Sequence, residues 1–535
     1  MICKCVGATE ADTGGMPVCM IPQIGSVAGT LCGLGRENRL EKKDEMSKSR
    51  YCKGIQCPKI LWMDRYMPEK ADGAASDAVL ETGVKVGELA RQYFGDCVVV
   101  NVSFCREEMV SATRTLMEQG TECIAEAAFT HDGLYCAVDL LHKNNSGWDI
   151  VEVKSSTRVK EEHIEDMAFQ YHVLRQCGVP VGHIYCMHID STYVRMGELD
   201  IRRLFALEDC TESVKEQADG MEKRIREIQT YIDTDTEPER ELDCYCEKPY
   251  PCVYRSYCGR HIPEHSVFDL VRMQTKKKYT LYHQGIISYA DLMEHPEVMN
   301  DNQRRQVESV CGDRPDVCDK EEIRTFLDTL SYPVYHLDFE TFQQAVPEFD
   351  GIHPYEQIPF QYSIHVEDGH GGLRHLEFLA EEGKDPRRTL AQHLIADIPE
   401  NACVTAYNMS FEKTVIRHLA ATFPDIGEHL LHIHDHIVDL MVPFQKQYYY
   451  SAAMQGSYSI KYVLPALWPE ESELDYHRLE GVHNGAEASA YYADMGNHSA
   501  DEIAVMRTHL LKYCGLDTYA MVMVLRKLRE VCGEN

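Results

Sequence analysis

The chain has 535 residues, 44% of them hydrophobic, which is too long for one hydrophobic core and ordinary for a folded protein. Its 54 basic and 86 acidic residues give a formal charge of -32, which argues against holding nucleic acid by diffuse electrostatics, and no apolar run reaches the length of a membrane span. With 22 cysteines and no hydrophobic signal segment, the expectation is a reducing cytoplasm rather than a disulfide scaffold, most thiols serving as small buried hydrophobes.

Residues 1–45 are rich in Gly and Cys and lack periodicity, whereas Met46-Ser47-Lys48-Ser49 reads as a natural beginning, so a disordered leader or a misassigned start is expected. Cys57-Pro58-Lys59-Ile60-Leu61-Trp62 opens a first domain expected over 46–260, and a helical run follows with Gly83 and Gly87. Asp139 then ends one apolar run, and Glu152-Val153-Lys154 ends the next. Residues two apart on a strand share a face, so Glu152 and Lys154 are expected to point together. Two carboxylates suit a hard cation such as Mg²⁺ or Mn²⁺, and a nearby lysine suits charge developing on phosphate, as in phosphodiester hydrolysis. An ordinary exposed hairpin would show the same three residues. The spacing of Ile164, Met167, Ala168, Tyr171 and Leu174 predicts a helix over 161–177 that carries Gln170 and Tyr171. Residues 211–243 read as a charged helix leading to Cys244, Cys246, Cys252 and Cys258, the last three equally spaced around Pro-Tyr-Pro, as in a fixed loop at a metal.

From 46 to 260 this order resembles the RecB-like nucleases of the PD-(D/E)XK superfamily, and most of all the subset closed by one early and three late cysteines around an iron-sulfur cluster. The resemblance implies Asp139 and Glu152 as metal ligands, Lys154 as the catalytic lysine, and Gln170 with Tyr171 as the helix motif. It also implies Cys57, Cys246, Cys252 and Cys258 as ligands of a 4Fe-4S cluster. The alternative is a local zinc site with Cys244 as the fourth thiolate. The chain departs from the family where many members have a metal-binding His four residues after a glycine. Gly87 stands there, and Glu126 is the candidate substitute.

Residues 261–325 read as a small helical connector with Leu270, Tyr282, Ile286, Ile287, Tyr289 and Leu292 as its apolar positions. Basic groups that could meet nucleic acid are Arg158, Lys160 and Lys276-Lys277-Lys278, whereas Arg304-Arg305 is expected to be a solvated face. A second acidic strand holds Asp338 and Glu340. Downstream, Asn408-Met409-Ser410-Phe411-Glu412 reads as a strand running into a helix, and Tyr513 and Asp517 lie near the expected end of another helix. Asp439 is expected only to cap the segment after its strand.

Over 326–535 the order D-x-E, N-x-x-F-acid, Y-x-x-x-D resembles the 3′-to-5′ exonucleases of the RNase H-like fold in their tyrosine variant, the DEDD type. That implies Asp338, Glu340, Glu412 and Asp517 as ligands of two metal ions and Tyr513 as the residue positioning the attacking water. Glu412 departs from the usual Asp. Together with the segments Pro354–Ser363 and Gly456–Pro465, these motifs resemble the bacterial family called domain of unknown function 2779 over nearly all of 46–530, an RNase H-like module following a RecB-like one. The expectation is therefore an α/β protein with a restriction-endonuclease-like domain and an RNase H-like domain. Its expected role is that of a cytoplasmic nuclease using Mg²⁺ or Mn²⁺ on nucleic acid, chiefly DNA with single-stranded or free ends, in repair or defence. The competing expectation is a noncatalytic protein that keeps both folds and binds nucleic acid or a partner.

Overall fold

Alternating apolar and polar residues over Cys123–Lys154 build a meander of β3 (Cys123–His131), β4 (Leu134–Asn144) and β5 (Gly147–Lys154) in the computed structural model, which describes residues 45–72, 77–100, 105–312, 314–471, 474 and 478–534. Before it come β1 (Met46–Ser47), α1 (Lys48–Gln56), α2 (Pro58–Tyr66), α3 (Asp77–Ala90), β2 (Val98–Val99) and α4 (Arg106–Gln119). After it come α5 (Glu161–Gln176), β6 (Val181–Ile189), β7 (Phe205–Asp209), α6 (Thr211–Ala218) and α7 (Met221–Ile232). The charged segment over 211–243 is thus two helices, broken at Gly220, whose φ of +74° costs glycine nothing. The sheet is seven-stranded and mixed, in the order β2-β3-β4-β5-β6-β7 with β1 on β4; β3, β4 and β5 are antiparallel and β6 is parallel to β5.

One face of this sheet, including Ile124, Val138, Ile150 and Ile184, packs with apolar residues of α1, α2, α5 and α7. The other face, with Ala125, Leu140, Val151 and Met187, is covered by Val86 and Ala90 of α3 and by Ala345 and Val346 from far downstream. Parallel pairing of Val98 with Ile124 brings the preceding residues together, and Cys97 forms a disulfide with Cys123, their Cα atoms 4.6 Å apart. This one pair was not foreseen, because only the strand register reveals that the two cysteines are neighbours. Of the unit Met1–Glu45 only Glu45 is described, so the expected leader lies outside the described residues.

The connector folds as α8 (Thr275–His283), α9 (Tyr289–Glu294) and α10 (Asp301–Cys311) around Leu270, Leu281, Ile286, Tyr289, Leu292 and Val307. A helix at Lys320–Leu327 (α11) already packs with the next core through Ile323 and Phe326.

That core surrounds a second sheet of β8 (Val334–Phe342), β9 (Ile358–Glu367), β10 (Leu373–Leu379), β11 (Cys403–Ala406) and β12 (Ile437–Asp439), in the order β10-β9-β8-β11-β12. The first three strands are antiparallel, and β11 and β12 run parallel to β8. Leu337 and Phe339 pack with apolar residues of α12 (Arg387–Asp397), α13 (Ser410–Thr422) and α14 (Pro424–Asp435). Val334 and Phe342, at positions of opposite parity, pack with α15 (Ile460–Leu467), α16 (Gly485–Asp494) and α17 (Ala500–Cys532). The α17 helix starts on a capping box of Ser499 and Glu502 and ends at Gly533 in the left-handed region, which helps sustain its length.

The loop 343–357 between β8 and β9 crosses to the first sheet. Besides burying Ala345 and Val346 there, it exchanges Arg195 N–H to Ile352 O (3.0 Å) and Gly351 N–H to Arg195 O (2.8 Å). Lys85 pairs with Glu348 at 2.8 Å, and the Tyr355 hydroxyl donates to the Ser155 carbonyl, one residue beyond Lys154.

Candidate functional site

The regular β4–β5 ladder ends at Leu140 opposite Val151, and the first acidic cluster sits where the strands part. There Asp139 Oδ2 accepts the Val153 N–H at 2.7 Å, a side chain taking the place of a backbone acceptor. Lys154 Nζ bridges Glu152 Oε1 (2.7 Å) and Asp166 Oδ2 (2.6 Å). Lys48 Nζ, in the first turn of α1, reaches the same two acids at 3.0 and 3.5 Å. Gln170 Nε2 donates to Glu152 Oε2 at 2.6 Å. Glu152 is 1% exposed, and burial opposes its charge, yet Lys154 and Lys48 outweigh burial and hold the carboxyl well below the usual range. Burial and the Glu152 charge push Asp139 up to about 7 and raise Asp166 as well. Both lysines stay charged despite burial because Glu152 and Asp166 face them.

Of the residues expected here, Asp139, Glu152, Lys154 and Gln170 come together. Tyr171 does not share their contacts: Asp166 and Gln170 are four apart on one helical face, the next residue turns away by about 100°, and Tyr171 packs against the core. Glu126 stands opposite Asp139 in the register, between Ala125–Leu140 and Ala127–Val138, at a φ of +58°. Its carboxylate pairs with Arg91 at 3.1 Å instead of joining the lysines. A side chain at Gly87 would enter open space, so packing does not demand glycine there. Sequence reading missed Asp166 and Lys48. Asp166-x-x-x-Gln170 was a legible signal, as was a lysine in a first helical turn, where acids are favoured.

In the second cluster, Asp338 and Glu340 extend from β8 toward α17. One ligand atom from each of Asp338, Glu340 and Cys514 lies within 4.8 Å of the others, and Cys514 Sγ is 3.6 Å from Asp338 Oδ2. Glu412 enters from the first turn of α13, 2% exposed, with Oε2 buried and without a hydrogen-bond partner. Its turn is set by Asn408, at a φ of +71° that Asn tolerates better than most residues. Asp439 accepts the N–H groups of Asn408 (2.9 Å), Met409 (3.3 Å) and Met441 (3.0 Å), so it caps as expected and also fixes the start of α13. Tyr513 and Asp517 lie one turn apart near the middle of α17, not near its end, because the helix runs on through an apolar face to Cys532.

Burial and Asp517 push Glu340 up to about 8, with Lys461 opposing. Glu412 also rises to about 8 through burial, Asp439 and Asp517. Asp338 goes well above the carboxylate range, through burial and the charges of Asp517, Glu340 and Glu412. Burial and the charges of Asp517, Glu340 and Asp338 raise the Tyr513 hydroxyl far above its usual range. Buried acids that repel one another in this way carry their charges together only when a cation joins them.

Cys57, Cys246, Cys252 and Cys258 line one cavity with Tyr245 and Tyr254, and Cys244 is not among its lining residues. Burial raises the thiols of Cys246, Cys252 and Cys258, Cys252 to about 11, and Cys57 adds to each. Of the basic candidates, Lys277 and Lys278 donate to the carbonyls of Val298 and Phe268, both at 2.6 Å, and so brace the connector. Arg304 donates to the Pro296 carbonyl at 3.4 Å, and Lys160 lies 3.7 Å from Glu162.

Residues 335–459 match the family described as Domain of unknown function (DUF2779). The matched segment contains Asp338, Glu340 and Glu412; the first cluster, the cysteine cavity, Tyr513 and Asp517 lie outside it. No curated protein matches the chain. Among the described residues, no helix is long and apolar enough to cross a membrane.

Proposed function

We propose that the chain is a cation-dependent nuclease whose second cluster hydrolyses nucleic acid, chiefly DNA, from an end. The observation that carries this reading is the convergence of Asp338, Glu340, Glu412 and Asp517 from three elements, with a buried Glu412 oxygen left without a hydrogen bond. The strand order β10-β9-β8-β11-β12 agrees with an RNase H-like fold, and the β3-β4-β5 meander followed by α5 and a parallel β6 agrees with a restriction-endonuclease-like one. Mg²⁺ or Mn²⁺ would supply neutralisation of phosphate charge and activation of water. The four carboxylates would hold the cation, and Tyr513, kept protonated by burial, would donate a hydrogen bond that orients the attacking water. In the first cluster, Asp139 and Glu152 would be the ligands and Lys154 the phosphate partner.

A second reading applies to that first cluster alone. Because Lys48 and Lys154 already occupy Glu152 and Asp166, the domain would hold nucleic acid or a partner without cutting it. The cysteine cavity would take a 4Fe-4S cluster, since Cys57 lines it with Cys246, Cys252 and Cys258, in place of Cys244. Protein purified without oxygen is then brown and loses iron in Cys57→Ser but not in Cys244→Ser; stoichiometric zinc with the opposite dependence rejects the cluster.

The test of activity is incubation of the full chain with end-labelled single- and double-stranded DNA and RNA, with Mg²⁺ or Mn²⁺ against a chelator. Cation-dependent ladders shortening from one end are expected. Intact substrates under all conditions would reject catalysis and leave the binding reading.

A further inference from the structure

We infer that Cys514 is a ligand of the second cluster, making it a mixed oxygen-sulfur site that binds soft divalent cations such as Zn²⁺ and Cd²⁺ more tightly than a carboxylate site alone would. The inference rests on the cation-binding reading of that cluster. Cys514 is fully buried on α17, one residue after Tyr513 and three before Asp517, so its helix already presents two members of the site. Its Sγ lies 3.6 Å from Asp338 Oδ2. Metal–sulfur and metal–oxygen bonds of about 2.3 and 2.0 Å at a tetrahedral angle place the two ligand atoms about 3.5 Å apart, so the observed separation fits a shared cation without rearrangement. A second observation is independent of the thiol. The Oε2 of Glu412 is buried without a hydrogen-bond partner, and the Glu412 charge reaches Asp338.

The thiol donates to Asp338 Oδ2 in the structure; on ligation its proton passes to solvent and the sulfur becomes a thiolate donor. Thiolate favours borderline and soft ions, whereas Mg²⁺ is satisfied by oxygen, so one cysteine changes which cation the acids keep. Zn²⁺ would therefore compete with Mg²⁺ or Mn²⁺ at a site that the carboxylates alone would leave to hard ions.

The test is a titration of the full chain with ¹¹³Cd²⁺, followed by cadmium NMR and by calorimetry against Mn²⁺. A resonance of one-thiolate, oxygen-rich ligation, resolved from all-thiolate sites, is expected in the wild type and absent in both Cys514→Ser and Asp338→Asn. Cys514→Ser should weaken Cd²⁺ at this site by at least about tenfold, the scale of losing a supporting group at a metal centre, and change Mn²⁺ affinity by less than about twofold. Cys514→Ala serves if the serine variant does not fold with the wild-type circular dichroism. A resonance that survives in the cysteine variant but vanishes in Asp338→Asn overturns thiol ligation and leaves the carboxylate site standing. Survival in both variants overturns the cation reading itself.

Discussion

Around Glu152, three carboxylates are met by Lys48 and Lys154 of the same chain, whereas at the second cluster burial and the charges of Asp517, Glu340 and Glu412 raise the pKa of Asp338, and Glu412 keeps a buried oxygen without a hydrogen bond. Both clusters lie on a central strand under a helix. The first carries its own countercharge and so contributes to the fold, while the second, when charged, is a cost to the fold that the proposed cation would relieve. A buried acid therefore reports function by what neutralises it, not by its burial.

The sharpest way to break this comparison is to remove one acid from each side. Asp338→Asn should lower end-degradation by about a hundredfold or more, the scale of removing one charge-stabilising group, while the melting temperature without added cation stays level or rises. Unchanged ladders in this variant would detach the cluster from the reaction. Glu152→Gln should instead cost about 3 kcal/mol in urea unfolding, the low end for breaking a buried pair, because it leaves two half-buried lysines beside a single remaining partner. A loss under about 1 kcal/mol would place the pair in the class of exposed salt bridges and erase the contrast.

The pH dependence sharpens the same point. Glu340 and Glu412 have folded pKa values near 8, raised from 4.5, so the folded state binds more protons than the unfolded one between these values. Stability attributable to them is complete below 4.5 and is lost as pH rises to about 8. Melting followed by circular dichroism without divalent cation should show a fall of about 10 °C from pH 6 to 8, the two groups together losing about 4–5 kcal/mol and each kcal/mol being worth about 2–4 °C in a domain of this size, with Mn²⁺ reversing it. A rise over that interval would contradict the charge assignment. Glu152 has the opposite sign: its carboxyl is held low, so its contribution is present above pH 4.5 and is lost as acid titrates it.

The smallest change expected is Glu412→Asp. It shortens the one acid that departs from the resembling exonucleases and should leave end-degradation within about threefold of wild type or raise it, since catalytic geometry is sensitive to displacements of about an ångström. A loss as large as that of Asp338→Asn, measured in the same gel assay, would mean that the longer side chain is required.

The strands that carry the acids were legible, because Asp139, Glu152 and Asp338 each end or follow an apolar run, whereas β6, β7, β9 and β10 were not read from the sequence. Lys48 was not legible, since its partner Glu152 is 104 residues away on β5 and only the packing of α1 with the sheet into one core brings them together. Lys154 read as a lysine at the strand end, but Asp166 from the next helix turns it into part of a buried network. Cys514 was hidden for a related reason. Nothing in Tyr-Cys-Gly-Leu-Asp tells which residues of the turn face Asp338 until the helix and β8 are set against each other. The Cys97–Cys123 pairing likewise depends on strand register, which local sequence does not encode.

The loop 343–357 has a consequence for heredity as well as for mechanics. It leaves the second sheet directly after the acidic strand and fills the first sheet's core with Ala345 and Val346, so the two halves of the chain are not interchangeable parts. A recombination breakpoint in the connector would give the first sheet a foreign loop and strip cover from Leu140, Val151 and Met187. A fragment that stops before Val334 should accordingly aggregate or unfold, whereas one rejoined to a separate second half should recover solubility. Selection acting on either acidic cluster would then carry the other along with it, as a single inherited unit.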